Sequence, residues 1–453
     1  MTRSDNESSV ISARMAAYRG LWEIFENSAY ANLVIQQILR RYSFRAEDRR
    51  FLTELIYGVC RRYNFLLWMI GQFSSRPVKK IDAKVRILLC LGLYQLIFLD
   101  SVPDSAAVNE TVKLGKKVTH EGNTRFINAV LRSYLRGKDK ITIPSEEENP
   151  VLHDALTYNQ PEWLIRRWSR EWGREKARAV LSAMNEIAPL DIRCNTLKIN
   201  RKELLERLEA AGAQPAEMAA CEEGIVIQKG DAFFQTDLLQ KGLAYIQNRA
   251  SMLPAAVLAP KPGERILDMC AAPGSKTTQA AARMHDQGQI DAWDIYPHKI
   301  RLIQDNCRRL GIESIKAVVH DASKFDQTAE NAYDGVLLDA PCSGLGVLRR
   351  KTELRWRRKE NELDLFPALQ KKLLACAARY VRPGGRLVYS TCTLNAEENE
   401  KMVVGFLRDH PEYETAPIEL PGISAAEGMI TLWPDIHHSD GFFVANLVRR
   451  TAE

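Results

Sequence analysis

The sequence predicts an α/β protein: an open, mainly parallel, Rossmann-like sheet in the C-terminal half, preceded by a small α/β module and an all-helical domain. Three observations predict it. From Leu253 to Val448, strand-like runs alternate with helical ones, the pattern of a parallel sheet with crossover helices. The short apolar strand Arg265–Met269 feeds a tight turn of small residues, Cys270-Ala-Ala-Pro-Gly-Ser-Lys276, and then a helix through Met284. That is the first strand–turn–helix unit of such a sheet. Met15–Arg136, by contrast, shows helical spacing and no sustained strand alternation.

A chain of 453 residues is too long for one ordinary core, and about 150 residues per domain suggests three. The expected division is a helical domain over residues 1–140, an α/β module over 150–240, and the Rossmann-like domain over 241–453. Ala31–Arg41 carries helical spacing. Ala83–Phe98 is apolar nearly all round, which places it at the centre of a bundle. Gly137–Pro150, with Ser145-Glu-Glu-Glu-Asn149, reads as a linker. One amphipathic helix is expected over Pro161–Asn185, with Pro161 at its start and Trp163, Trp168 and Trp172 along it. Leu190–Asn195 and Gly224–Gln228 are strand-like, and the charged helix Arg201–Ala211 lies between them.

Composition narrows the class. A chain that is 45% hydrophobic and 26% charged matches soluble globular proteins. A net charge of +6 permits a polyanionic partner without requiring one. Met1–Ser12 is polar and lacks the apolar core of a secretion signal. The most apolar run, Ile87–Leu99, is broken by Gly92 and Gln95 and falls well short of the ~20 residues that span a bilayer. Nine cysteines, an odd number without a C-x-x-C pair, point to free thiols in a reducing compartment. The eight histidines show no ligand spacing, and His437 and His438 are adjacent rather than four apart. The expectation is a cytoplasmic monomer with no metal and no membrane contact.

The turn Cys270–Lys276 lets a ligand approach the backbone, and the following helix start supplies free N–H groups. A dinucleotide fingerprint needs three spaced glycines, and this turn has Gly274 alone. A P-loop needs glycine directly before the lysine, where Ser275 stands. Asp294 ends the next strand, about 20 residues past Gly274, the usual place for a ribose-binding carboxylate. Asp321 closes the third strand and Asp339 the fourth. Taken singly, each acid is more simply an incidental loop residue or helix cap. Three of them at successive strand ends converge on the crevice where open α/β sheets bind ligands, which favours a nucleoside.

Two cysteines share that edge. Asp339-Ala-Pro-Cys-Ser-Gly344 follows the fourth strand, and Tyr389-Ser-Thr-Cys-Thr393 follows the strand Arg386–Val388. An isolated cysteine is usually a small buried hydrophobe, but both of these sit in loops at the ligand edge. They predict thiol chemistry, and their spacing leaves open whether Cys342 or Cys392 attacks. A free thiol is mostly protonated near neutrality, so a cation or helix start must favour the thiolate, and Lys276 is a candidate.

These motifs, Leu267-Asp-Met-Cys-Ala-Ala-Pro-Gly-Ser-Lys-Thr277, Asp339-Ala-Pro-Cys-Ser-Gly344 and Ser390-Thr-Cys392, closely resemble those of the RNA cytosine-5 methyltransferases of the Sun/RsmB and Nop2 type. The resemblance implies a class I domain in which Cys270, Ala271, Ala272, Pro273, Gly274, Ser275 and Lys276 cradle S-adenosylmethionine. It also implies that Asp294 holds the ribose, that Asp321 lies by the adenine, and that Asp339 lies near the methionine end and the target base. Cys392 becomes the nucleophile at cytosine C6, and Cys342 the cysteine that helps release the product. Chemistry by itself could swap the two, since DNA cytosine methyltransferases carry their nucleophile in a Pro-Cys motif like Pro341-Cys342. Two departures stand out: Ser275 replaces a second glycine, and Arg350-Lys-Thr-Glu-Leu-Arg-Trp356 replaces a segment that often holds a Pro-Asp pair.

Pro103, Ala107-Val-Asn-Glu110 and Phe126-Ile-Asn-Ala-Val-Leu-Arg132 resemble the helical RNA-binding domain of the NusB antitermination factor. That implies 16S ribosomal RNA as partner, with a specific cytosine C5 as methyl acceptor. Arg349, Arg350, Lys351, Arg355, Trp356, Arg357, Arg358 and Lys359 form a basic cluster just past Cys342, suited either to phosphates or to a solvated face. The competing class is a non-catalytic RNA-binding assembly factor. It would have no need of the cofactor, and the intact cysteine pair weighs against it.

Overall fold

The computed structural model describes residues 11–451, so the polar start expected to lack a signal core lies almost wholly outside the described residues. The chain forms two compact units. One runs to Asn185 and takes in Leu348–Glu360; the other holds Glu186–Val347 and the chain from Asn361 onward.

The first unit is helical: α1 (Ala13–Phe25), α2 (Ala31–Arg41), α3 (Ala46–Phe73), α4 (Ala83–Phe98), α5 (Asp104–Val118), α6 (Glu121–Gly137), α7 (Pro150–Thr157), α8 (Glu162–Trp172) and α9 (Arg174–Ala183). The all-apolar sequence of α4 has its expected consequence, since Ile87 through Leu91 are all buried at the centre of the bundle. Gly58 of α3 is required there, because a Cβ would lie 2.1 Å from the Tyr94 ring of α4.

Two elements differ from expectation. Part of the expected linker ends in α7, where Pro150 occupies the first turn and the Asn149 side chain accepts from the Leu152 N–H. The single helix expected over 161–185 is broken into α8 and α9 by Gly173, whose φ of +80° suits glycine. The helices after residue 150 stay with the first unit, because Asn64 Nδ2 of α3 donates to the carbonyls of Ala155 (3.2 Å) and Gln160 (3.3 Å).

The second unit contains two sheets with cores of their own and a separate hairpin. In the smaller sheet, β1 (Leu190–Cys194), β2 (Pro215–Glu217), β3 (Gly224–Ile227) and β4 (Ala244–Ile246) pair antiparallel in the order β2-β3-β1-β4. α10 (Arg201–Ala210) and α11 (Gly230–Phe234) lie between strands in the chain and pack Leu204, Leu208 and Phe233 against Ile192 and Ile225. β4 lies past residue 240, so the expected module boundary cuts off the strand that completes this sheet by pairing with β1.

The larger sheet contains β5 (Arg265–Asp268), β6 (Gln289–Asp294), β7 (Ile315–Val319), β8 (Tyr333–Asp339), β9 (Val381–Thr391) and β10 (Tyr413–Thr415). β11 (Ile418–Leu420) and β12 (Ile423–Ala425) form the hairpin, and β13 (Met429–Leu432) and β14 (Phe442–Arg449) return to the large sheet. Its order is β10-β14-β9-β8-β5-β6-β7, with β13 on β14. β5 to β9 are mutually parallel and β14 runs antiparallel to β9.

Successive residues of β5 face opposite cores. Ile266 packs with α12 (Arg249–Leu258), α13 (Ser275–Arg283) and α14 (Pro297–Leu310), while Leu267 packs with the helices Leu365–Tyr380 and Glu400–Asp409. The chain runs outward from β5 to β6 and β7 on one side and returns through β8 and β9 on the other. The strand order therefore reverses between β5 and β8, where a sheet of this kind opens its ligand crevice.

Candidate active site

The reversal point is lined by the residues that follow the parallel strands. The turn after β5 folds onto its neighbours: Ala271 N donates to the Trp293 carbonyl (2.8 Å) and Gly274 N to that of Ala271 (2.7 Å). Gly274 has φ +96°, a conformation that favours glycine, and it caps α13 without a side-chain acceptor for the helix's first N–H groups.

Lys276 of α13 is buried and its Nζ lies 2.6 Å from Asp339 Oδ2 at the end of β8. Ser390 Oγ of β9 donates to the other Asp339 oxygen (2.8 Å). Burial by itself would lower the Lys276 ammonium, but Asp339, Asp268 and the Cys392 sulfur outweigh it and hold the pKa above its ordinary value.

The two loop cysteines meet. Parallel pairing sets Asp339 beside Ser390, which brings the loops after β8 and β9 together, and Cys342 Sγ lies 3.2 Å from Cys392 Sγ. The Cys342 thiol is pushed well above the usual range, first by its hydrogen bond with Cys392 and then by burial. Burial also pushes the Cys270 thiol up.

Glu398, which the sequence reading did not single out, ties these loops. Its buried carboxylate accepts from Ser343 N (2.9 Å), Ser343 Oγ (2.5 Å), Gln370 Nε2 (3.0 Å) and Asn395 Nδ2 (2.9 Å). Four donors on two oxygens suit a carboxylate and would leave an amide facing donors with its own N–H groups. The available signal was the polar run Asn395-Ala-Glu-Glu-Asn399 directly after a loop cysteine.

Asp268, inside the motif Leu267–Thr277, was likewise not singled out and is a further candidate. It is buried at the end of β5 with Oδ1 lacking a hydrogen-bond partner, while Oδ2 accepts from Thr277 Oγ1 (2.6 Å). Burial pushes its pKa up to about 7. The folded chain therefore keeps this proton up to about pH 7, whereas an unfolded chain releases it near 4. Stability from this group is present below pH 4 and lost as pH rises towards 7. Asp268→Asn is expected to melt close to the wild type at pH 4 and clearly above it at pH 8, measured by differential scanning on cofactor-free protein. An unchanged difference across that range would refute the buried-acid account.

Asp294 closes β6, buried, with Oδ1 accepting from Tyr296 N (3.1 Å) and Lys299 Nζ 3.4 Å from Oδ2. Asp321 falls two residues beyond β7 rather than at its end. Its carboxylate holds its own loop through Ser323 N (3.2 Å) and Ser323 Oγ (2.7 Å), and the Ser323 hydroxyl bond depresses its pKa. Asp321 thus joins none of the hydrogen bonds around Lys276, Asp339 and the cysteines given above.

The basic segment past Cys342 does not form the expected phosphate face throughout. Leu348–Glu360 belongs to the helical unit. Arg355 is 1% exposed and donates to the carbonyls of Asn159 (3.2 Å) and Met184 (2.9 Å) and to Asn185 Oδ1 (2.8 Å). Trp356 Nε1 donates to the Cys60 carbonyl (2.6 Å), Arg357 to that of Ala29, and Glu353 accepts from Ala31 N (3.3 Å) at the start of α2. A guanidinium with five donors can satisfy several otherwise orphaned carbonyls, and burial here follows from that capacity. Arg355→Ala is expected to cost about 3 kcal/mol of stability by orphaning those carbonyls. Binding of polyanions should keep its salt dependence, because no phosphate contact is lost. Denaturant melts and binding titrations at several salt concentrations check both.

Among the described residues no helix is long and apolar enough to cross a membrane, and no group of three or more His, Cys, Asp or Glu is placed to hold a metal.

A reversed-order parallel sheet with acids and small-residue turns at its carboxyl edge is an architecture that S-adenosylmethionine-dependent methyltransferases share with other nucleoside-binding α/β proteins. Comparison with known proteins agrees. A family model described as 16S rRNA methyltransferase RsmB/F matches residues 255–448. A NusB family model matches 11–136, and a ferredoxin-like domain of RsmF/B-like methyltransferases matches 160–232. The probable ribosomal RNA small subunit methyltransferase B of Synechocystis is 37% identical, over 97% of this chain and 99% of that one. The probable enzyme of the same name from Bacillus subtilis is 34% identical with the same coverage. Among solved structures, PH0851 superposes with a TM-score of 0.83 at 29% identity, covering 97% of this chain and all of that one. NSun6 from Pyrococcus horikoshii, solved with SFG, gives 0.57 at 25% identity, covering 65% of this chain and 99% of its own.

The chain belongs to the RsmB/F family of 16S rRNA methyltransferases. Its cofactor is S-adenosylmethionine.

Proposed function

We propose that the protein transfers a methyl group from S-adenosylmethionine to C5 of a specific cytosine in 16S rRNA through a covalent bond between Cys392 and C6. The observation that carries this reading is the pair of thiols 3.2 Å apart at the crevice edge, beside the Lys276–Asp339 pair.

The residues present suit the cofactor. A sulfonium and an ammonium are cations, and the carboxyl edge offers Asp294 and Asp339, together with Asp268, whose buried Oδ1 has no partner and whose proton a bound cation would help to displace. A methionine carboxylate is an anion, and the start of α13 offers N–H groups without a side-chain cap. In this reading Cys270, Ala271, Ala272, Pro273, Gly274, Ser275 and Lys276 form the cradle, Asp294 takes the ribose and Asp321 lies by the adenine. Bound there, the cofactor supplies an electrophilic methyl group.

The protein's task is to make C5 nucleophilic. The Cys392 thiolate bonds to C6, and the displaced electron pair makes C5 enamine-like and able to accept the methyl group. Removal of the C5 proton then returns the C6–S electron pair to Cys392. Cys342 is placed to remove that proton. What chiefly keeps it protonated is its bond with Cys392. Once the Cys392 sulfur is bound to C6, that hydrogen bond no longer holds the Cys342 proton, although burial still favours the neutral thiol, and Cys342 acts as base after its own proton has left. Lys276 and Ser390 orient Asp339 towards the base. A stacked cytosine hides its C6 face, so the target must be unpaired or flipped. A cytoplasmic location, in keeping with nine unbridged cysteines, and a monomeric state complete the reading.

The test is incubation with methyl-labelled cofactor and undermethylated small-subunit RNA, followed by nucleoside analysis. Label in 5-methylcytidine is expected. Cofactor binding with label in another nucleoside would refute the C5 assignment, and no cofactor binding at all would favour a non-catalytic assembly factor.

A further inference from the structure

The ferredoxin-like module sends one buried cation into the first helix of the methyltransferase sheet. Arg193, on β1, is 1% exposed. Its Nη1 donates to the Ser275 carbonyl (2.5 Å) and to Gln247 Oε1 (2.7 Å), and its Nη2 donates to Thr278 Oγ1 (2.9 Å). Thr278 Oγ1 in turn donates to the Gly274 carbonyl (2.6 Å). The guanidinium also lies 5.1 Å from the centre of the Tyr245 ring, and among the described residues no salt bridge gives it a carboxylate partner. Arg193 thus places its two Nη groups on the backbone at the end of the Cys270–Ser275 turn, on the side chain that braces it and on Gln247, while its buried Nε has no hydrogen-bond partner.

The same strand end reaches the other flank of that turn. Asn195 Nδ2 donates to the carbonyls of Gly242 (2.8 Å) and Leu310 (2.9 Å), the latter at the end of α14. From α14, Asn306 Nδ2 donates to the Pro273 carbonyl (2.9 Å). Burying a cation without an anion is costly unless its donors are used well. A bare anchor between two domains could be apolar. A fork of donors aimed at a carbonyl and its neighbouring hydroxyl also fixes their orientation.

We propose that Arg193 is a positioning residue for the cofactor: the module strand holds the backbone at Ser275, and through it the turn that receives S-adenosylmethionine. This rests on the cradle reading of Cys270–Lys276 given above. It assigns the module a role in cofactor affinity, separate from any contact with RNA.

Titration calorimetry with S-adenosylhomocysteine on full-length protein tests it, together with methylation kinetics in which cofactor and RNA are varied separately. Arg193→Met is expected to raise the cofactor Kd and KM about tenfold, with kcat at saturating cofactor and KM for RNA within about twofold. Arg193→Lys, which can reach fewer acceptors, should fall between wild type and Arg193→Met. Thr278→Val, which removes the brace without touching the module, should shift the same two constants and serves if the arginine variants fail to fold. Unchanged cofactor affinity in folded variants would overturn the proposal, as would a rise confined to KM for RNA. Ser275→Trp separates the two readings: if it retains cofactor affinity, the cradle reading fails; if it loses affinity while Arg193→Met does not, the positioning role fails alone.

Discussion

Cys392→Ala is expected to abolish methyl transfer, by about 10⁴-fold or more, and to form no covalent complex with RNA. Cys342→Ala should instead accumulate such a complex, visible as a slower-migrating band on denaturing gels when the RNA is labelled. The difference follows from which step each thiol serves. Without Cys392 no bond to C6 forms, so C5 never becomes nucleophilic. Without Cys342 the bond forms and the methyl group is accepted, but the C5 proton has no base and the adduct persists. The 3.2 Å approach of the two sulfurs makes either assignment sterically reasonable, so the pattern of trapping decides it. Accumulation in Cys392→Ala and none in Cys342→Ala would reverse the roles while leaving thiol chemistry in place.

The second large effect is expected at the buried ion pair. Lys276→Met leaves the Asp339 carboxylate without its cation, and Asp339→Asn leaves a buried ammonium without its anion. Each should lower kcat/KM by about 10²-fold, the usual scale for losing one placed charged group at a reacting centre. The double variant should be little worse than the more damaging single one, because each single change already destroys the pair. Full additivity would mean that the two groups act separately, contrary to their 2.6 Å contact. Calorimetry on the same variants reveals whether the loss lies in cofactor affinity or in the chemical step.

Much of the fold was legible because it is written locally. The apolar sequence of Ala83–Phe98 could bury only at the centre of a bundle, and it does. The strand, small-residue turn and helix from Arg265 to Arg283 carry their own geometry, down to the glycine that the positive φ at 274 favours. Asp294 and Asp339 were placed correctly at strand ends because strand length and turn residues locate those ends. Asp321 was not: its strand stops at Val319, and the acid serves its own loop.

What escaped the sequence is what depends on distant partners. Glu398 meets Ser343, 55 residues away, and nothing near Glu398 announces those donors. Arg193 meets Thr278 at a separation of 85, and Arg355 meets Asn159 at 196. Read locally, Arg355 is one more charge in a basic run. In the fold it is buried under carbonyls that need donors, which withdraws it from the phosphate face that the run suggested. The helix expected over 161–185 failed for a smaller reason, since one glycine in a periodic stretch can be tolerated or can break it.

The sequence by itself determined the elements, the order in which strands and helices alternate, and which reactive residue types stand at strand ends. Periodicity, capping and turn chemistry act over a few residues, so they survive in a linear reading. The tertiary structure decided which of those residues meet: Cys342 with Cys392 across 50 residues, Lys276 with Asp339 across 63, and the segment past Cys342 with the helical unit. Pairing and burial are set by which strands lie side by side and which helices cover them, and those contacts exist only once the chain has closed on itself.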